Sequence, residues 1–233
     1  MKKTIYTLNV GGYSSEITAL TYPLLEYYAR KIEAEFYVID TAGFPGWPIT
    51  YEKLQIFELS KKREDDWIIY IDSDAVVHPE TIDWTYFLPR DTVAHYGSDH
   101  AAVRWRYDEY FARDGRHISS CNWNAVASSW CRDLWRPLEL GPAEAVGNIF
   151  PLVVEVGRNC RAEHLVDDYA LSRNIAKFGL KFVTLMDLQK RSGLPEAGFY
   201  WHDYRLSTDE KVVAIKDVIK RMELEKWVYL PCS

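Results

Sequence analysis

Two aspartates, one residue apart, close a long apolar run: Trp67-Ile68-Ile69-Tyr70-Ile71-Asp72-Ser73-Asp74-Ala75-Val76-Val77. A run this rich in Ile reads as a strand buried on both faces, as in a parallel sheet. Carboxylates at the mouth of such a strand are costly to bury without a partner, so Asp72 and Asp74 ask for a cation. Oxygen donors suit Mg²⁺ or Mn²⁺, which use one or two carboxylates and complete their shells with phosphate oxygens and water. The plainer alternative is a strand that ends in polar turn residues. A second acidic pair, Asp167-Asp168, opens a helical pattern, where acids also suit the positive end of the helix dipole. His202 sits in a loop-like aromatic stretch, and a lone histidine is more often a hydrogen-bonded structural residue than a ligand.

The elements around these residues alternate between strand and helix. Residues 4–10 form a short apolar run that ends at Gly11-Gly12, a strand followed by a turn. Over 14–32, Ile17, Leu20, Leu24, Tyr28 and Ile32 recur at spacings of three and four, the mark of an amphipathic helix. Pro23 predicts either a kink or a true start near Thr21. Residues 36–39 make the next strand, closed by Asp40, which completes a βαβ unit with right-handed crossover. A loop over 41–48 leads to a helix over 49–60 with Leu54, Ile56 and Phe57 inward, and then to the strand of Asp72. Further on, 91–96 and 119–129 read as strands, and 132–138 as a short helix or turn closed by Pro137. Residues 141–159 are too rich in Gly and Pro to assign, apart from a short strand over 152–154. A helix over 163–178 packs through Leu165, Tyr169, Leu171 and Ile175 and stops at Gly179. A strand over 180–185 follows. Ser207 and Glu210 form a capping box for a last helix, packed through Val212, Ile215, Ile219 and Met222. In an open α/β sheet ligands bind beyond the carboxyl ends of the strands. Asn9, Val10, Tyr13, Asp40, Asp72 and Asp74 all fall at such ends.

Composition sets outer bounds. At 233 residues, with 48% hydrophobic and 27% charged residues, the chain reads as one large globular domain with a sizeable core. A net charge of −6 argues against a nucleic-acid binder held mainly by phosphate contacts. The 9 Trp and 16 Tyr offer flat faces with polar tips, which suit carbohydrate and nucleotide sites and fill cores equally well. Cys121, Cys131, Cys160 and Cys232 form no C-x-x-C pair, and no secretory signal stands at the N-terminus, so reduced thiols and a cytoplasmic location are expected. No stretch approaches the roughly 18 apolar residues of a membrane span.

Taken together, these residues resemble the GT-A fold glycosyltransferases. Asp72-Ser73-Asp74, after a βαβ beginning, looks like their D-x-D motif. Lys53-Leu54-x-x-Phe57 resembles the preceding helix with its basic residue at the diphosphate. Asn122-Trp123-Asn124-Ala125-Val126 resembles the strand that lines the donor sugar, and Asp167-Asp168-Tyr169-Ala170-Leu171-Ser172 the acidic helix start near sugar and acceptor. His202 falls where retaining members, related to glycogenin and the lipopolysaccharide galactosyltransferases, place a third metal ligand. Their H-x-x-G-x-x-K-P-W ending is absent, with His202-Asp203-Tyr204-Arg205 in its place. The resemblance covers roughly residues 4–204. It implies a single Rossmann-like mixed sheet flanked by helices, with a nucleotide-binding half over 1–96 and a donor-sugar and acceptor half over 97–233. It implies a metal-dependent glycosyltransferase using a nucleotide-diphosphate sugar, most readily a UDP-sugar, and, from Asp167 and His202, retention of anomeric configuration. Asp72, Asp74 and His202 would hold Mn²⁺ or Mg²⁺. Asn9, Val10, Tyr13, Asp40, Lys53, Ser73, Asn122 and Asn124 would line the donor, with Asp167 and Asp168 at the reacting sugar. The acceptor stays open among a glycan, a lipid-linked sugar, a protein and a nucleic acid, with residues 97–118 and 186–205 expected to shape its site.

Three other readings use the same residues. In a phosphatase of the haloacid-dehalogenase type Asp72 would be the nucleophile, but that motif sits on the first core strand, and here a complete βαβ unit precedes it. A sugar-phosphate nucleotidyltransferase needs a basic Gly-rich loop, and Asn9-Val10-Gly11-Gly12-Tyr13-Ser14 lacks the basic residues. A non-catalytic carbohydrate-binding protein would bind sugar without regard to Mn²⁺.

Overall fold

The computed structural model describes residues 1–96, 124–149, 166–185, 200–201 and 206–229. Six strands form one mixed sheet: β1 (Lys3–Leu8), β2 (Glu35–Ile39), β3 (Trp67–Tyr70), β5 (Thr92–His95), β6 (Ala125–Ser128) and β7 (Lys181–Thr184). Their order is β2-β1-β3-β6-β5-β7. β1 is parallel to β2 and β3, β5 is parallel to β7, and β6 runs antiparallel to both its neighbours. The expected βαβ unit is therefore present, with α1 (Ser15–Lys31) as its crossover. The single antiparallel strand makes the sheet mixed.

Side chains alternate across this sheet, as the period of two requires. Ile5, Trp67, Ile69 and Val126 pack on one face with Leu25, Tyr28 and Ala29 of α1. Tyr6, Ile68, Tyr70 and Ala125 pack on the other with Leu54, Phe57, Leu134, Trp135, Leu171 and Ile175. That second layer holds a 3₁₀ helix (Ile49–Gln55), α2 (Ile56–Lys62), a second 3₁₀ helix (Ser129–Trp135), α3 (Pro142–Ile149) and α4 (Val166–Lys177). Outside α1 lie α5 (Thr208–Arg221) and α6 (Glu225–Val228), which bury Val212, Ile215 and Ile219 against Ile17, Leu20, Leu24 and Val76. α5 carries the expected capping box, Ser207 with Glu210.

Four expectations need correction. α1 starts at Ser15, capped by Ser14, and runs unbroken through Pro23. One lost hydrogen bond is tolerated because the helix is held by its packed face. The segment 49–60 is a 3₁₀ turn followed by α2 rather than one helix. Residues 142–149, left unassigned from their Pro and Gly content, form α3, with Pro142 at its first position, where its missing N–H costs nothing. The apolar run 67–77 is not one strand. β3 ends at Tyr70, a turn closes from the Ala75 N–H to the Asp72 carbonyl at 3.0 Å, and Val76–Val77 leave as β4. β4 pairs antiparallel with β8 (Tyr200–Trp201) in a separate two-stranded sheet.

Candidate active site

The break after Tyr70 sends the two aspartates of the motif to opposite layers of the fold. Tyr70 and Asp72 share the parity that faces α4 and the 3₁₀ helix of Lys53. The Tyr70 hydroxyl donates to Asp72 Oδ1 at 2.8 Å. Asn124, one residue before β6, grips Asp72 at two points: its Oδ1 accepts the Asp72 N–H at 2.6 Å and its Nδ2 donates to Asp72 Oδ2 at 2.9 Å. Lys53 lies beneath, 4% exposed, with Nζ 2.6 Å from Asp167 Oδ2 and 3.7 Å from Asp72 Oδ1. Its ammonium also stands 4.7 Å from the Tyr70 ring centroid. Burial alone would lower its pKa, but Asp167 and Asp72, with Asp168 further off, outweigh burial and raise it, so Lys53 is held as a cation. Lys53 thus ties the strand end of Asp72 to the helix start of Asp167. Asp167 is buried in the first turn of α4, and its Oδ1 has no hydrogen-bond partner. A buried acceptor without a donor is uncommon and costly.

Asp74 turns towards the α1 and α5 layer. Its Oδ2 is paired with Lys211 Nζ, from the first turn of α5, and accepts from the Tyr13 hydroxyl at 3.2 Å. Lys211 also reaches the Tyr13 hydroxyl at 3.4 Å. Burial, then Asp74, pushes the Tyr13 phenol up to about 12. The Ser73 carbonyl accepts from the Thr21 hydroxyl of α1 at 2.6 Å, which fixes the turn between the two aspartates. Beside them the chain leaving β1 turns on Gly11 and Gly12, at φ of +76° and +71°, where L side chains are strained. A Cβ on either glycine would meet nothing within 4 Å, so this turn borders open space. Asn9 Oδ1 closes it by accepting the Tyr13 N–H at 2.8 Å.

The predicted residues therefore fall into three groups. Asp72, Lys53, Asn124 and Asp167 meet in one cluster, with Asp168 half-buried at its edge. Asn9, Tyr13, Ser73 and Asp74 meet in the neighbouring one, and Val10 packs against the core below. Asp40 lies exposed at the end of β2, bonded to its neighbour Thr41 at 3.0 Å. The loop beyond it is pinned by buried Glu52, which accepts from the N–H groups of Gly43 at 2.8 Å and Phe44 at 3.1 Å. Asn122 and His202 lie outside the described residues, although Trp201, just before His202, is paired with Val76. Two participants escaped the sequence reading. Tyr70 stands two residues before Asp72 on the same face, and that alternation was its signal. Lys211 stands in the first turn of a helix, where a cation opposes the dipole, and this misplacement was its signal.

No protein-family model matches the sequence, and no curated protein matches it. Among solved structures, a glycosyltransferase involved in the glycosylation of the major capsid of PBCV-1 superposes over 93% of this chain and 100% of its own, with a TM-score of 0.53 at 12% identity. The chain shares the fold of that structure. GlyE, a glycosyltransferase of Streptococcus pneumoniae TIGR4, matches over 99% of this chain and 65% of its own at TM-score 0.45 and 14% identity. A197 from STIV matches over 79% and 82% at TM-score 0.39 and 11% identity. In this fold both clusters sit beyond the carboxyl ends of β1 and β3, where open α/β sheets bind ligands.

The donor set suits a hard divalent ion. Two carboxylates, such as those of Asp72 and Asp74, together with phosphate oxygens make an ordinary Mg²⁺ or Mn²⁺ environment. The described residues hold no group of three or more His, Cys, Asp or Glu placed for a metal. Among them no helix is long and apolar enough to cross a membrane.

Proposed function

We propose that the protein is a glycosyltransferase that takes a sugar from a nucleotide-diphosphate donor, a UDP-sugar, at the two aspartate clusters. The observation that carries this reading is the ion-paired triad of Asp72, Lys53 and Asp167, with one oxygen of Asp167 left without a donor. In this reading the nucleotide lies on residues 1–96, over the turn from Asn9 to Tyr13, with Asp40 accepting from the ribose or base. The sugar lies towards residues 97–233, where Asp167 Oδ1 accepts a donor hydroxyl and Asp168 binds a neighbouring one. Asp72 and Asp74 would hold Mn²⁺ or Mg²⁺, with His202 as the third ligand the sequence offers. The ion's contribution is to neutralise the diphosphate as the glycosidic bond breaks. Lys53 stays protonated and holds Asp72 and Asp167 in place. Asn124 and Tyr70 fix the orientation of Asp72, so the carboxylate is set before the donor arrives. Transfer goes with retention, to a hydroxyl on a glycan, lipid-linked sugar, protein or nucleic acid.

A panel of nucleotide-diphosphate sugars with Mn²⁺, followed by NMR, tests this directly. The expected result is slow donor hydrolysis that disappears in Asp72→Asn. Retention predicts a first-formed sugar with the donor's own anomeric configuration. A covalent phosphoaspartate trapped on Asp72 would instead establish the phosphatase reading, and sugar binding indifferent to both Mn²⁺ and Asp72→Asn the carbohydrate-binding one.

A further inference from the structure

The pairing of Asp74 with Lys211 has a consequence for the cation that the motif recruits. Both side chains are nearly buried, at 10% and 12% exposure, and with the Tyr13 hydroxyl they form a closed triangle. Lys211 is not a loose surface lysine that happens to reach an acid. Its helix is fixed at the N-terminus by the Ser207–Glu210 capping box. It is also anchored by Val212, Ile215 and Ile219 packed against α1 and Val76. Its place in the first turn opposes the helix dipole, so the helix itself gives no reason for a cation there. Asp74 supplies one. The lysine and a divalent ion want the same carboxylate, and two cations in contact with one buried oxygen repel each other strongly.

We infer that Lys211 is the resident counter-cation of Asp74, and that a divalent ion takes its place at the motif only by displacing it. This rests on reading Asp72 and Asp74 as a divalent-cation clamp and adds the residue that sets its affinity. The clamp of the donor-free protein is then self-capped. A cation carried on the C-terminal helix keeps Asp74 compensated and holds metal affinity down. A purely structural role, tying α5 to the sheet end, would make removal of Lys211 a loss in every assay. The counter-cation role makes it a gain in one.

The test is a Mn²⁺ titration of the full-length protein, followed by the electron paramagnetic resonance signal of free ion, with and without UDP. Lys211→Met is expected to bind Mn²⁺ at least tenfold more tightly than the parent protein without UDP, and Asp74→Asn added to it to abolish the gain. Lys216→Met, an exposed lysine on the same helix, is expected to change nothing. Should Lys211→Met fold poorly, Lys211→Gln keeps a hydrogen bond to Asp74 without the charge and is expected to show the same gain. A melting temperature restored by Mn²⁺ in the variant, but unmoved in the parent, supports the same conclusion. Equal or weaker Mn²⁺ binding by both variants overturns the counter-cation role and leaves the clamp standing. Folded parent and variants that bind no Mn²⁺ even with UDP overturn the clamp and the inference together.

Discussion

Replacing Lys53 with Met removes one charge and leaves its methylene stem largely intact, so the consequences are electrostatic. At 2.6 Å from Asp167 and 3.7 Å from Asp72, the ammonium gains roughly 6 and 4 kcal/mol of gross Coulomb energy at an effective dielectric of about 20. Most of this is offset by the cost of drying the three groups. What truncation removes is the surplus, plus the penalty of two carboxylates left facing each other, about 3–5 kcal/mol for a buried pair. Urea denaturation should therefore show Lys53→Met less stable by that amount, a large share of the roughly 5–15 kcal/mol of a typical domain. Asp167→Asn relieves the same repulsion. The double variant should therefore recover, with a coupling energy of about 2–3 kcal/mol across the cycle. Donor turnover should fall roughly 100-fold in Lys53→Met, the scale of removing one preorganised positive contact. A coupling energy below about 0.5 kcal/mol would refute the reasoning, because Lys53 and Asp167 would then be adjacent without depending on each other.

Three further outcomes follow from the same contacts. Asn124→Leu removes both hydrogen bonds to Asp72 and strands its buried-side N–H; a loss of about 2–3 kcal/mol in urea melts is expected, and a change under about 0.5 kcal/mol would count against it. Ser207→Ala deletes one arm of the capping box and should cost about 1 kcal/mol by the same assay, with no loss if the last helix is held by packing alone. Burial raises Tyr13, Tyr22 and Tyr51 from 10.0 to about 12, so between these values the folded protein keeps protons that the unfolded chain releases. Their contribution is complete below pH 10 and is lost as pH rises towards 12, so tyrosinate absorbance should lag the free amino acid and then rise together with unfolding. A titration superimposable on free tyrosine would contradict it.

Much of the fold was legible because its signals are local. The spacing of Ile17, Leu20, Leu24 and Tyr28 wrote α1, and Ser207 with Glu210 wrote the start of the last helix. The turn after Tyr70 was not legible, because Ile71, Ala75, Val76 and Val77 are as apolar as the strand they follow. What breaks β3 is tertiary: Asn124 takes the Asp72 N–H, and β8 takes Val76 and Val77 into another sheet. Pro23 misled for the complementary reason, since packing outweighs one missing hydrogen bond. In the site, Asp72, Asp74, Lys53 and Asp167 were readable as residue types wanting partners. Which partner each takes was not, because Lys53 could serve either cluster until the topology placed it under Asp72. Asn124 was expected along the donor, and its two hydrogen bonds to Asp72 were not foreseen. Lys211 lies 137 positions from Asp74, and only the packing of α5 on α1 brings the two together.

The site beyond β1 and β3 is proposed to bind a nucleoside diphosphate beside a divalent ion. Isothermal titration calorimetry with UDP, with and without Mn²⁺, tests it most directly. Binding is expected to strengthen when Mn²⁺ is present and to lose that dependence in Asp72→Asn. Folded protein that gives no heat of binding with UDP, in Mn²⁺ or in its absence, would contradict it.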